Sequence, residues 1–215
     1  MKKNMNDIKI VTAPQTLKEE KIARCAEIVA DAFEREGATS YLFDFNKKNT
    51  REYYLRQTRK LVREHLEKGD FFLMALKGEE VAGVAVINKN ERLPFSQKMR
   101  SAFVQLNSLI PMLTRINLKR ALSSRNAFSL FQALPDNYYT LFALAVHPHY
   151  QGQGIGKMLL TRAVEVTQEA PHVPGIYLYT ADQKNRVIYE SFGFKLVEEH
   201  QGGGIRVYHM FRRNS

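Results

Sequence analysis

LFALAVHPHYQGQGIGKMLL, residues 141–160, runs from an apolar segment through a glycine-rich turn into an amphipathic one. From Tyr138 to Val146 apolar residues follow one another with little alternation, the pattern of a strand buried on both faces, and His147-Pro148 ends it. Ile155, Leu159, Ala163 and Val166 then recur at helical spacing, and Pro171 and Pro174 close that helix. Between the two, Gln151-Gly152-Gln153-Gly154-Ile155-Gly156-Lys157 offers free backbone N–H groups at the positive end of a helix dipole, where phosphate binds. Two nucleotide-binding loops of this general kind are excluded. A P-loop requires glycine five residues before Gly156 and a hydroxyl residue after Lys157, but Gln151 and Met158 stand there. A dinucleotide fingerprint requires G-x-G-x-x-G, but Lys157 occupies the third glycine position.

Upstream, DIKIVTAP (residues 7–14) reads as a first strand stopped by Pro14. Thr16 with Glu19 three positions on has capping-box spacing and predicts a helix, whose buried face is Ile22, Cys25, Ala26, Val29 and Phe33. Cys25 is thus a core residue in this reading. A second helix is predicted from about Thr50 to Lys68, ending at Gly69, followed by a hairpin of FFLMALK and EVAGVAVI around Gly78-Glu79-Glu80. Downstream of the opening stretch, IYLYT is a strand and Asp182 caps a short helix that ends at Gly193. Two last strands, FKLVEEH and IRVYHMF, flank a turn at Gln201–Gly204. The order strand, two helices, two strands, insertion, strand, helix, strand, helix, two strands predicts an α/β chain: a mixed, mostly antiparallel sheet with helices on both faces.

The insertion, residues 92–135, mixes apolar residues with bases at roughly helical spacing and is punctuated by Pro94, Pro111 and Pro135, so about two short helices are expected. It holds Arg92, Lys98, Arg100, Arg115, Lys119, Arg120 and Arg125 and no Asp or Glu. Much of the net charge of +10 therefore sits in one stretch, as expected for steering an anionic ligand or coating a solvated helix. If the segment is a lid, Phe103, Leu106, Leu109 and Ile110 would form its apolar face. A nucleic-acid partner is disfavoured, because the bases come with sparse aromatics and no recognition motif.

At 215 residues, with 44% apolar and 25% charged residues, the chain is expected to form a single domain over 1–215. No apolar run approaches the roughly 20 residues that span a bilayer. The opening MKKNMNDIKI lacks the apolar core of a signal peptide, and a single cysteine builds neither an internal disulfide nor a cysteine-rich metal site. A cytoplasmic protein, monomeric or homodimeric, is expected.

A second landmark lies about 30 residues beyond the first: NRVIYESFGF, with Asn185, Tyr189 and Phe192-Gly193-Phe194. Together with Q-x-x-G-x-G at Gln151, Gly154 and Gly156, in this order, it resembles the signature of the GCN5-related N-acetyltransferases (GNAT). The resemblance is strong over 138–213, rests on element order over 7–88, and is absent for the insertion. It implies the acyl-CoA N-acyltransferase fold, acetyl-CoA as co-substrate with no metal, and transfer of acetyl to a small-molecule or peptide amine by direct attack. It also implies roles. The strand segment Leu144, Ala145 and Val146 would pair with the pantetheine arm through the N–H groups of Leu144 and Val146, with the Leu144 N–H polarising the thioester carbonyl. The amides of Gly152, Gln153, Gly154, Ile155, Gly156 and Lys157 would hold the pyrophosphate, Asn185 would bond the pantetheine arm, and Tyr189 would offer its hydroxyl to the departing thiolate.

One position departs from several relatives, which carry His or a carboxylate four and two residues before the Leu144 position; here these are Thr140 and Phe142, neither a base. Another variant places Glu on the strand before Asn185, where Tyr179 stands. His147 and His149 read as solvated turn residues, and no base is assigned. The competing reading is a non-catalytic CoA-binding sensor or an anion- or nucleic-acid-binding module.

Overall fold

Gly78, at φ +60°, closes the hairpin between β2 (Phe71–Lys77) and β3 (Glu80–Lys89), whose apolar runs are buried almost throughout. The structure, a computed structural model, describes residues 7–89 and 115–214. Around the hairpin are β1 (Ile8–Thr12), α1 (Glu19–Glu34), the short α2 (Gly37–Leu42) and α3 (Thr50–Glu67) on its N-terminal side. After it come α4 (Leu118–Ser124), a 3-10 turn (Arg125–Phe128), β4 (Tyr139–Val146) and α5 (Ile155–Glu169). β5 (Gly175–Thr180), α6 (Gln183–Ser191), β6 (Lys195–Gly202) and β7 (Ile205–Arg213) complete the chain. The strands form one seven-stranded sheet in the order β1-β2-β3-β4-β5-β7-β6, in which only β4 and β5 run parallel. This is the mixed, mostly antiparallel sheet with helices on both faces that the element order predicts.

The alternation of side chains along each strand splits the core in two. On one face Leu73, Ala85, Ile87, Leu141, Ile176, Leu178 and Met210 pack against Ile155, Leu159, Leu160 and Ala163 of α5. On the other, Phe72, Met74, Val84, Val86, Ala143 and Ala145 meet Ile22, Cys25, Ile28 and Val29 of α1 and Val62 and Leu66 of α3. Each fully buried Leu, Ile or Phe is worth about 1.5–3 kcal/mol against exposure. Cys25 lies in this second layer with its Sγ 3.9 Å from Met74 Sδ, and burial pushes its thiol up to about 12. Gly83 allows α5 to sit close, since a Cβ there would lie 3.0 Å from the Ala145 carbonyl oxygen and 3.1 Å from Leu159 Cδ1. A third, smaller layer of Ala38, Ala127, Ile205 and Val207 covers the α1-side face of β7 with α2 and the 3-10 turn.

Three expectations change. Thr16 does not cap α1: Lys18 is the N-cap, without a side-chain bond, and its carbonyl accepts from Lys21 and Ile22. A third helix, α2, stands between the two expected ones, capped by Glu36, whose Oε2 accepts from the Ala38 and Thr39 amides at 2.8 and 3.0 Å. Of the insertion, the described part holds α4 and the 3-10 turn, whereas Arg92, Lys98, Arg100, Phe103, Leu106, Leu109 and Ile110 lie outside the described residues.

Candidate active site

β4 is not the evenly buried strand that its sequence suggests. Its register against β3 slips between Val86 and Ile87, so that Val86 faces Ala143 and Ile87 faces Leu141. Phe142 is the extra residue of a β-bulge, which resets the alternation. Leu141 points to the α5 face, Ala143 and Ala145 to the α1 face, and Phe142 also meets the α1 side, its ring centroid 4.7 Å from that of His65 on α3. Leu144 and Val146 return to the α5 face, where both are half-buried.

The pairing of β4 with β5 stops early. Tyr139 and Thr140 face Ile176 and Tyr177, and beyond them the two strands have no further register partners. The direction of the freed N–H groups follows from one bond: the His147 N–H donates to the Ala82 carbonyl on β3 at 2.9 Å, so the N–H groups of Leu144 and Val146, three residues and one residue earlier, face the open side. The Val146 carbonyl on that side accepts from Gln151 Nε2 at 3.2 Å, which ties the loop to the cleft. Gly152 (φ +73°) and Gly154 (φ +81°) take left-handed conformations, and Gly154 is the N-cap of α5, with no side chain to occupy the amides above it. A Cβ on Gly156 would lie 3.7 Å from Val146 Cγ2 and 3.9 Å from Leu144 Cδ2, so the helix start abuts the same two strand residues. The loop is also tethered from behind. Tyr150 donates to Glu80 at 2.6 Å and Arg24 reaches the same carboxylate at 2.8 Å, and these bonds, that from Tyr150 foremost, hold Glu80 below the ordinary carboxylate range.

α6 supplies the far wall. Asp182 caps it through the Lys184 amide at 2.7 Å, and Gly193 (φ +81°) ends it. Tyr189 packs against the same core layer as Leu144 and Val146, with its ring 5.7 Å from Phe194. Its hydroxyl makes no hydrogen bond among the described residues, unusual for a tyrosine held only as packing. Burial first, then the carboxylates of Glu36 and Asp182, push its phenol up to about 12. Asn185 is half-buried one turn before it, and its amide too has no partner among the described residues. Leu144, Val146, Gly156 and Tyr189 are thus brought together; Lys157 is exposed on the outer side of α5.

Several residues at the cleft had no local signal in the sequence. Glu36 reaches it only because α2 folds against β7 and the residue that follows β5, where a Cβ on Gly37 would lie 3.4 Å from the Ala181 carbonyl oxygen. His65, buried behind Phe142, holds Asp70 Oδ2 at 2.6 Å through Nδ1, while its Nε2 has no partner. His147 and His149 behave as turn residues, the His147 Nδ1 accepting from the His149 amide at 3.3 Å. A cavity of about 720 Å³ is lined by residues of α1, α2, α3 and α4, and in it Arg51 bridges Asp31 and Glu34 at 2.5 and 3.2 Å. Two insertion bases are structural as well: Arg115 lies over the Tyr53 ring, and Arg120 lies over Tyr41 and donates to its carbonyl at 3.2 Å.

An open sheet whose one parallel pair parts beside a glycine-rich helix start defines the acyl-CoA N-acyltransferase class of fold. Residues 125–196 match the profile of the acetyltransferase (GNAT) domain family. Among solved structures the chain is similar to the histone acetyltransferase HPA2 and related acetyltransferase from Corynebacterium glutamicum, with 14% identity, TM-score 0.61 and 97% of each chain covered. It is similar to the PaiA N-acetyltransferase from Thermoplasma acidophilum in complex with coenzyme A, with 15% identity, TM-score 0.58, and 96% of this chain and 98% of that one covered. An acetyltransferase of the GNAT family from Streptococcus pneumoniae aligns at 17% identity and TM-score 0.52, covering 97% and 99%. No curated protein sequence matches the chain. The sequence match to the GNAT acetyltransferase domain thus covers residues 125–196, and the solved structures share the fold over nearly the whole chain.

Proposed function

We propose that the protein transfers an acetyl group from acetyl-CoA to a primary amine by direct attack, with no covalent enzyme intermediate. The observation that carries this reading is the early parting of β4 from β5, which leaves the Leu144 and Val146 amides free beside the N-terminus of α5. A pantetheine arm laid along β4 would continue the sheet as an added strand. Its pyrophosphate would meet the amides of Gly152–Lys157, where the helix dipole favours negative charge, and the free amide of Asn185 would bond the arm from the opposite wall.

The amine attacks the thioester carbon while the Leu144 N–H donates to the carbonyl oxygen, which gains negative charge in the tetrahedral intermediate. The C–S bond then breaks and the sulfur leaves as thiolate toward Tyr189. A phenol at about 12 stays protonated at neutral pH. Because an alkyl thiol lies near about 8.5, complete proton transfer from Tyr189 would be uphill by about 5 kcal/mol. Tyr189 therefore acts as a hydrogen-bond donor that stabilises the thiolate, and the proton shed by the acetylated nitrogen ends on the thiol. Neither Thr140 nor Phe142 takes a proton from the incoming ammonium, so deprotonation costs about 4 kcal/mol for an alkyl amine at pH 7.4 unless the site lowers its pKa.

The test is thiol release from acetyl-CoA across an amine panel, with the acetylated product weighed by mass spectrometry, beside thermal shifts with acetyl-CoA. Wild type should turn over at least one amine and be stabilised by acetyl-CoA. Gly154→Glu should lose that stabilisation, because a carboxylate would crowd and repel the pyrophosphate at a left-handed position. An unchanged shift in this variant would overturn the phosphate-loop assignment.

A further inference from the structure

Resting on the transferase reading, we propose that the acceptor is a flat aromatic amine bearing one positive charge, held on the α1 side of the sheet between Phe142 and Tyr179. The cleft has two mouths. α5 and its glycine loop belong to one face of the sheet, so the CoA phosphates occupy that mouth. Direct attack requires acetyl donor and amine in the cleft together, which sends the acceptor through the mouth on the α1 side.

At that mouth the two strands present aromatic rings at matching height. Thr140 and Tyr177 are the last register pair, and two residues further on stand Phe142 and Tyr179. The β-bulge turns Phe142 to the α1 side. Tyr179 reaches the same side, because Ile176 and Leu178 of β5 point to the α5 face. Both rings are braced from behind, Phe142 by His65 at 4.7 Å and Tyr179 by Phe128 at 6.0 Å and His209 at 6.2 Å between centroids. Yet Phe142 is 42% and Tyr179 51% exposed, although they sit on the central strands of a sheet whose other large apolar residues are mostly covered. Rings fixed from behind and bare in front are what a planar ligand stacks on.

The charges on this side restrict the ligand further. Asp70 is engaged by His65, Glu198 by His200 at 2.7 Å and the Phe131 amide at 3.0 Å, and Asp31 and Glu34 by Arg51. Glu36, Asp44 and Asp182 accept backbone amides, and of these Glu36 lies beside both Tyr179 and Tyr189. The insertion that ends on this side contributes no acid, since residues 92–135 contain none. The Glu36 carboxylate, beside the Tyr179 ring, balances one ammonium on an amine stacked there.

The experiment compares kcat/KM for 2-phenylethylamine and tryptamine with that for spermidine, kanamycin and an Nα-blocked lysine, in wild type, Phe142→Ala, Phe142→Leu and Tyr179→Ala. Wild type should favour an aromatic monoamine over every polycation by at least about tenfold. The two alanine variants should each raise KM for that amine about tenfold while KM for acetyl-CoA stays within about threefold, with Phe142→Leu in between. A polycation as best substrate, or an aromatic-to-polycation ratio unmoved by all three variants, would overturn the aromatic site and leave the transferase standing. Acetyl-CoA that neither binds nor is consumed would overturn the transferase, and this inference with it.

Discussion

The two sides of the sheet's one parallel seam are built differently. From β1 to β4 every strand is paired along its length with an antiparallel neighbour, and both faces are covered by α1, α3 and α5. Beyond the seam, β5, β7 and β6 form a separate antiparallel unit, in which β5 pairs with β7 from Gly175 to Thr180 but with β4 at only two positions. Each side is therefore saturated by its own partners, and the gap between them does not have to be stabilised by anything filling it. A cleft in a sheet normally exposes backbone groups at a cost; here those groups are the ones a substrate arm can satisfy.

The strongest way to break this arrangement is at the base of the seam. A Cβ on Gly175 would lie 2.1 Å from the Arg212 carbonyl oxygen and 2.7 Å from Phe211 Cζ, so Gly175→Ala forces β5 away from β7. We expect a loss of more than about 3 kcal/mol in chemical denaturation, since overpacking against backbone has no cheap relaxation. Stability within 1 kcal/mol of wild type, on the order of a surface change, would mean that β5 is not held by β7 as described.

The next largest effect concerns what crosses the gap. Tyr189→Phe removes a donor whose hydroxyl has no partner among the described residues, so it should lower kcat by about tenfold to ten-thousandfold with little change in melting temperature or in KM for acetyl-CoA. Equal turnover with thioester cleavage rate-limiting would reduce Tyr189 to packing. On the saturated side, Gly83→Ala should cost about 1–3 kcal/mol of stability, because the added methyl presses α5 off β3 and β4. It should also weaken acetyl-CoA binding, as the loop is carried on that helix; loss of stability without loss of affinity would separate the helix from the loop.

The smallest effect lies on the β5–β7 side and depends on pH. His209 is fully buried, its ring nitrogens bonded to the Tyr177 hydroxyl at 2.6 Å and the Ala127 carbonyl at 2.9 Å, and burial lowers its pKa from the ordinary 6.5. The unfolded chain then binds the proton more readily than the folded one, so stability present above pH 6.5 falls as pH drops below it. His209→Gln should be less stable at pH 8 yet show a flatter decline between pH 7 and 5. Parallel curves would show that the imidazole binds its proton equally well in the folded and unfolded states.

Elements with a local punctuation mark were legible in the sequence. Gly69, Gly78, Asp182, Gly193 and Pro171 stop or start chain segments by their own backbone or side-chain chemistry, and the helices and strands begin and end beside them. The glycine-rich turn into α5 was legible for the same reason. Thr16 misled because Leu17 packs under α1 and pulls the chain past the cap. The bulge at Phe142 left no trace, since LFAL reads alike with or without an extra residue, and register is a property of two strands. Glu36, His65 and Asp70 were hidden in another way: what brings them to the cleft is the packing of α2 and α3 on the sheet, which no short spacing encodes.

The bulge has a consequence for how such a protein changes over time. It divides β4 into two stretches with different neighbours: Tyr139–Phe142 starts beside β5 and borders the α1 side, and Ala143–Val146 carries the edge aligned with the α5 loop. Because the extra residue absorbs the change of phase, substitutions before it leave the alternation after it untouched. Under the proposed function, acceptor preference is thereby free to drift through point changes at one end of a single strand, while the donor-handling end stays under constraint. A one-residue deletion at Phe142 would erase that boundary: Leu141 and Ala143 would alternate as one regular strand opposite Ile87 and Val86, with the upstream side chains keeping their faces.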